Sequence, residues 1–290
     1  MLVAIDDGHA LYQDWSDRDR PVFVRVDAKG RTQRMDFADA RCRVYEVGEN
    51  LLLERSADSP CLVEPKRGFV CSPVAAWDGR GEEPRWTFAT LGRLFDTGRL
   101  CSREYAYDRD ALKLPDPGYS EPVDACLLPN GDEVAINIVR CRHIAIFNFR
   151  TGVTELLDSG GSYGSGCPRI VGEALWFTNY DRLCRLDRSG RTLAVSEVLQ
   201  PSFRDPKYGA MTSAFIGEPK PAPAYGGWLV PRPYSGDVVL VDSNTLRPSA
   251  RIACGGRPYE IALLPDGTLI VADHPDGSLS VRTMDRLLPI

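Results

Sequence analysis

Residues 258–281 read PYEIALLPDGTLIVADHPDGSLSV, and residues 122–157 read PVDACLLPNGDEVAINIVRCRHIAIFNFRTGVTELL. The two stretches align as one unit. Pro122 falls on Pro258 and Asp124 on Glu260. Leu127, Leu128 and Pro129 fall on Leu263, Leu264 and Pro265, and Asn130-Gly131 falls on Asp266-Gly267. Each stretch is a short apolar run, an Asn-Gly or Asp-Gly pair, and a second apolar run. Such a pair accepts the positive φ of a two-residue turn at low cost, so both stretches read as β-hairpins.

A third copy runs from Cys167 as CPRIVGEALWFTNYDRLCRLDRSGRTLAV, with Gly172-Glu173 at the hairpin and Arg188 to Gly190 at the next turn. A fourth extends from Met211 through GGWLVPRPYSGDVVLVDSNTLRPSARIAC. The spacing is about 45 residues, the length of a four-stranded propeller blade. In the front half, VFVRVDAKGRTQRMDF, CRVYEVGENLLLERSADSPCLVEPKRGFVCS and the stretch from Trp86 to Lys113 supply strands at similar spacing. Within the last of these, WTFATLGRLFDTGRL reads as strand because Gly92 and Gly98 oppose a helix. The sequence therefore predicts an all-β chain folded as a seven-bladed β-propeller, with six blades as the alternative count. The last copy holds three clear strands, and MLVAID at the start is expected to complete that blade and close the ring. No Pro/Gly/Ser-rich linker divides the chain, so residues 1–290 read as a single domain.

Composition bounds the chemistry. Of 290 residues 43% are hydrophobic and 26% charged, which excludes a disordered or fibrous chain. A net charge of -5 supplies no reason to bind nucleic acid or an anionic membrane surface. The opening MLVAIDDGHA lacks a basic or long apolar targeting segment, and nowhere do 18 apolar residues run together. A soluble cytoplasmic protein is expected. The nine cysteines contain no CxxC pair and read as reduced thiols rather than as a disulfide framework or zinc cluster. With three histidines, an imidazole-rich metal site is not expected.

The copy PYEIALLPDGTLIVADHPDGSLSV resembles the repeats of NHL, virginiamycin-B-lyase-like and SMP-30/gluconolactonase-like propellers, and ALWFTNYDRLCRLDRSGRT looks like the middle of the same kind of blade. The resemblance implies the architecture and leaves the activity open, because such blades serve enzymes and interaction modules alike. It implies for the gluconolactonase-like enzymes a divalent metal held by a Glu of an early Glu-Gly-Pro element, two Asn and an Asp. This chain has no Glu-Gly-Pro at its start, and Glu260-Ile261 stand where an Asn-Gly would be sought. None of His9, His143 and His274 matches the setting of a lyase histidine.

In a propeller the first strand of each blade lines a central channel, so the repeat alignment names residues expected to converge there. Asp124, Arg169, Thr212 and Glu260 are placed at the channel mouth, and Asn137, Asn179, Arg232, Asp273 and His274 at the ends of second strands. Such a mixed-charge ring suits a polar ligand, or one divalent cation, Ca²⁺ or Mg²⁺, held by Asp124, Glu260 and Asp273. Four long connections are expected on the same face: SPVAAWDGRGEEPR after Cys71, LPDPGYSEP after Lys113, SGGSYGSG after Asp158 and QPSFRDPKYGA after Leu199. They carry Trp77, Tyr119, Tyr163, Phe203 and Tyr208 beside polar residues, a composition suited to binding. SGGSYGSG precedes a strand rather than a helix and is no phosphate loop. Trp176, inside ALWF, reads as core.

Two functions remain open at this point. One is a binding module that engages a protein or a polar small molecule through the long-loop face and channel mouth, Trp77 and Tyr163 among its contacts. The other is a metal-dependent propeller enzyme of lactonase, hydrolase or lyase type, with Arg169 or Arg232 holding an anionic group.

Overall fold

A computed structural model of the chain describes residues 2–14, 16–17, 20–35, 42–47, 50–55, 62–64, 69–71, 73–77, 87–88, 100–101, 122–127, 133–138, 143–148, 151, 153–158, 165–187, 192–204, 211–212, 215–274 and 276–290. Regular structure among these is β-strand, apart from two single-turn 3-10 helices at Pro223–Tyr225 and Met284–Arg286. The described strands form six antiparallel sheets of three to five strands and two two-stranded ribbons. The chain divides into two compact units, one of Met1–Arg41, Asp78–Glu83 and Ser196–Ile290, the other of Cys42–Trp77 and Pro84–Val195.

In the first unit, Leu2–Asp6, His9–Asp14, Val22–Asp27 and Thr32–Met35 form a four-stranded meander. A second sheet runs Lys220–Ala222, Gly227–Arg232, Asp237–Asp242 and Pro248–Ala253, and takes Leu288–Pro289 as its fifth strand. Pro258–Leu263, Thr268–Asp273 and Leu279–Thr283 make a three-stranded sheet. The central strand TLIVAD is apolar almost throughout because both its faces are covered. Leu269 and Val271 join Leu229, Val238, Leu240 and Ile252 in one buried cluster, while Ile270 and Ala272 join Leu2, Ala10, Tyr12 and Val26 in another. Each Leu- or Ile-sized side chain so buried contributes about 1.5–3 kcal/mol.

The N-terminal strand does not complete the last sheet. Asp6 pairs with His9 across the two-residue turn Asp7-Gly8, so Leu2–Asp6 belongs to its own meander. A hairpin partner a few residues away costs far less closure entropy than one at the other end of the chain. The first and last sheets meet face to face through Leu2, Tyr12, Ala262 and Ile270 instead.

In the second unit, Ser165–Val171, Ala174–Asn179, Arg182–Asp187 and Thr192–Val195 form one sheet. Leu100–Cys101, Pro122–Leu127, Glu133–Ile138, His143–Asn148 and Thr154–Asp158 form another. The two pack through Ala135, Ile144 and Ile146 against Leu175, Phe177, Cys184 and Leu186. The hairpin turn falls at Gly172-Glu173, as the sequence predicts, with Val171 opposite Ala174 and Gly172 at φ 61. Trp176 is buried at 4% exposure, also as predicted.

The front half departs from expectation. The stretch from Cys42 to Cys71 is not one four-stranded unit: Cys42–Val47 and Asn50–Arg55 pair onward with Pro73–Trp77 and Thr87–Phe88, and Leu62–Glu64 with Phe69–Cys71 forms a separate ribbon. Trp77 therefore ends a strand, opposite Leu51, rather than sitting in a long connection. The apolar run PVAAW has a sheet to extend, and backbone pairing captures it. Of WTFATLGRLFDTGRL, Thr87–Phe88 and Leu100 are strand, and residues 89–99 lie outside the described residues.

Candidate functional site

In the first unit, the strands Gly227–Arg232 and Thr268–Asp273 end in the same turn. Gly236, at φ 70, donates its N–H to Arg232 O at 3.0 Å, and Gly277, at φ 68, donates to Asp273 O at 2.8 Å. Only glycine enters that left-handed region without strain. Arg232 and Asp273 are thus equivalent, as the repeat alignment predicts, but their surroundings differ. The Arg232 guanidinium is held by Asp237, with Nε to Oδ1 at 2.7 Å and Nη2 to Oδ2 at 2.5 Å, and by Leu199 O at 3.2 Å from Nη1. That bidentate pair is committed to the fold.

Asp273 is less satisfied. Its carboxylate lies against Gly256, where any Cβ would collide with it. Burial and then the neighbouring Asp276 push its pKa up, against Arg282, the Arg257 backbone N–H and the Ser278 hydroxyl. Its buried Oδ1 has no hydrogen-bond partner among the described residues. Glu260 stands opposite Ala272 on the neighbouring strand. Burial, and then Glu260, Asp14 and Asp276, push the Tyr12 hydroxyl up to about 12.

The same unit also holds a row of rings. The exposed His274 lies 5.3 Å from Tyr259, Tyr259 lies 5.8 Å from Phe215, and Phe215 lies 5.2 Å from Tyr234, the last two contacts edge to face. The buried Gln200 fixes one end of the row. Its Oε1 accepts the Tyr234 N–H at 3.3 Å and its Nε2 donates to Ser235 Oγ at 3.1 Å. The sequence placed Gln200 in a long connection but did not single it out, nor Phe215, Tyr234 and Tyr259. Their contacts are all non-local and leave no periodic trace.

Thr212 is not at the head of the second sheet. It pairs with Phe203 in the short ribbon. The chain beside Pro231 is Gly217, whose N–H meets Pro231 O at 2.9 Å, followed by Glu218, whose N–H meets Tyr259 O at 2.8 Å. Glu218 is paired with the buried Lys220 at 3.4 Å. The alignment missed this acid because GEPKPA lacks the apolar alternation that marks a strand.

In the second unit, Asn179 ends its strand as expected, opposite Ser165 and Arg182. It is fully buried, and neither its amide nitrogen nor its oxygen has a hydrogen-bond partner among the described residues. The turn after it holds Tyr180 at φ 54 and Asp181, whose pKa burial raises against the pull of Arg182 at 3.7 Å. Arg169 pairs with Trp176 in mid-strand rather than at the strand's beginning, because the strand starts at Ser165, before the Cys167 from which the repeat was counted. Asn137 stands opposite Asp124, the register position of Ala272 opposite Glu260, so it falls one residue short of the place of Asp273. The hairpin between Leu127 and Val134 is one residue longer than that between Leu263 and Leu269, and an odd shift changes the register position. Tyr163 lies outside the described residues. Among the described residues no three of His, Cys, Asp and Glu come together as a metal site. No described helix is long and apolar enough to cross a membrane.

No protein-family model and no curated protein matches the sequence. Solved structures do. A candidate 6-phosphogluconolactonase from Bacteroides fragilis matches with a TM-score of 0.55 at 12% identity, over 99% of this chain and 95% of its own. The β-propeller domain of Cps50 from Myceliophteria thermophila matches with a TM-score of 0.50 at 8% identity, over 97% and 96%. A chain of the mitotic checkpoint complex matches with a TM-score of 0.55 at 10% identity, over 98% and 86%. At such identities the likeness is one of fold, and the fold is of propeller type.

Proposed function

We propose that the chain is a single-domain β-propeller of seven blades, six being the alternative count, that acts as a cytoplasmic binding module for a protein or polar small molecule. The observation that carries the binding role is the ring row Tyr234, Phe215, Tyr259 and His274, in the same unit as Asp273, whose buried Oδ1 has no hydrogen-bond partner among the described residues. Rings give contact area at low cost in entropy, and the acid gives a ligand hydroxyl or ammonium its orientation. Whole-length likeness to a chain of a multiprotein complex supports a protein-binding role, and the two buried free thiols Cys184 and Cys254 suit a reducing compartment. Six described sheets of three or more strands support the blade architecture, and the Phe203–Arg204 and Met211–Thr212 ribbon would mark a seventh. The test is a thermal-shift screen of polyols, amines and sugar acids, repeated on Tyr259→Ala with Tyr234→Ala. Stabilisation of the natural chain that the double variant loses is the expected result, and a hit that persists in the variant moves the site elsewhere.

The alternative is a metal-dependent propeller enzyme, with Asp124, Glu260 and Asp273 as its candidate acids, supported by whole-length likeness to a candidate 6-phosphogluconolactonase. Titration with Ca²⁺ and Mg²⁺ tests it. A metal that stabilises the natural chain but not Glu260→Gln would favour the enzyme over the binding module.

A further inference from the structure

Asn179 is 0% exposed, and both polar atoms of its carboxamide are buried without a hydrogen-bond partner among the described residues. Its neighbours in the sheet are Ser165 on one side and Arg182 on the other, and neither holds the amide. Side chains alternate across a strand, so Asn179 shares a face with Leu175 and Phe177, which pack against Ala135, Ile144 and Ile146 of the neighbouring sheet. Two residues on, in the same turn, the Oδ1 of Asp181 is also buried without a hydrogen-bond partner among the described residues, with Arg182 Nε 3.7 Å away. The charge of Asp181 reaches the Cys184 thiol, a member of the same apolar cluster. At the corresponding strand end in the first unit, Arg232 is held from within the chain by Asp237 and Leu199 O. A buried amide left unbonded costs about 1–3 kcal/mol, and a native chain that keeps one has a use for it.

We propose that Asn179 anchors a ligand site of the second unit, distinct from the ring row, that takes an uncharged planar molecule carrying an N–H donor beside an acceptor on one edge. The chemistry of the side chains selects this class. A cation would suit the amide oxygen and Asp181 but meet the amide N–H₂ group, and among the described residues no three of His, Cys, Asp and Glu come together as a metal site. An anion would suit the N–H₂ group but meet Asp181. The apolar face beside the amide disfavours either charge. A donor–acceptor edge serves both amide atoms at once, as a carboxamide does, or as adenine does when an Asn side chain pairs with it. The Asn179 Nδ2 donates to the ligand's acceptor, its Oδ1 accepts the ligand's N–H, and the Asp181 carboxyl can accept a further N–H.

Calorimetric titration of the full chain with nicotinamide and with adenine tests this. Each is paired with a control that keeps the ring and loses the N–H₂ group, 3-acetylpyridine for nicotinamide and purine for adenine. The natural chain is expected to bind nicotinamide or adenine, and to bind the matching control at least about tenfold more weakly. Asn179→Leu is expected to abolish that binding. Tyr259→Ala with Tyr234→Ala is expected to keep it, because the ring row belongs to the first unit. A natural chain that binds neither probe overturns the proposal, and so does a control that binds as well as its probe. Binding that survives Asn179→Leu, or that the double ring variant loses, overturns it too. Should Asn179→Leu misfold, Asn179→Ser, which is small and has no amide edge, decides in its place.

Discussion

Asp273 holds its proton in the folded chain to a higher pH than in the unfolded one, because burial and Asp276 disfavour its charge. The native state therefore binds the extra proton as pH rises from the ordinary carboxylate value of 3.8, and stability is lost across the interval up to the raised pKa. Asp273→Asn keeps the shape and removes the charge. It is expected to raise the thermal midpoint at neutral pH and to flatten its dependence between pH 4 and 7, and an unchanged pH profile would refute the assignment. Gly256→Ala acts on the same carboxylate by sterics. Its Cβ must displace Asp273, at about 1–3 kcal/mol, readable in urea unfolding. Asn179 poses the opposite case, a buried amide with no hydrogen-bond partner described. Asn179→Leu replaces it with an apolar group of similar size and is expected to stabilise by about 1–2 kcal/mol, whereas a loss of stability would show that a bound molecule satisfies the amide.

At the scale of the strand and its turn, Arg232 is a structural partner of Asp237, a carboxylate only 4% exposed. Arg232→Ala strands that charge, with Arg251 still 3.9 Å away, and is expected to cost about 3–5 kcal/mol in chemical denaturation. Arg232 also illustrates what sequence could and could not reveal. The repeat located it and Asp273 at equivalent strand ends, because hairpin chemistry and two-sided apolar runs are local signals. It could not tell that one is held in a bidentate ion pair and the other keeps one buried oxygen without a hydrogen-bond partner among the described residues, since the deciding partners, Asp237 with Leu199 and Gly256 with Asp276, depend on turn geometry and on neighbouring sheets. Asn137 was misplaced by one extra residue in a hairpin, and Arg169 by counting its strand from Cys167 when it begins at Ser165. Thr212 pairs in a short ribbon while Lys220–Ala222 supplies the strand beside Gly227–Arg232, and PVAAW fills a sheet rather than a loop. Each error concerns which strand pairs with which, a choice made by contacts distant along the chain.

At the scale of the molecule, the chain divides into two compact units, one of which contains both Met1 and Ile290. Trp228 is buried in the first unit and Trp176 in the second, so each reports its own surroundings. Variants that retain one of these tryptophans, the others replaced by Phe, should unfold in urea with coincident midpoints and slopes if the chain is one domain. Separate midpoints would mean two domains. In that event each unit's faces must be satisfied within itself, as Leu269 and Ile270 already are on the two sides of Thr268–Asp273. The ring row Tyr234–Phe215–Tyr259–His274 belongs wholly to the first unit and would survive that outcome.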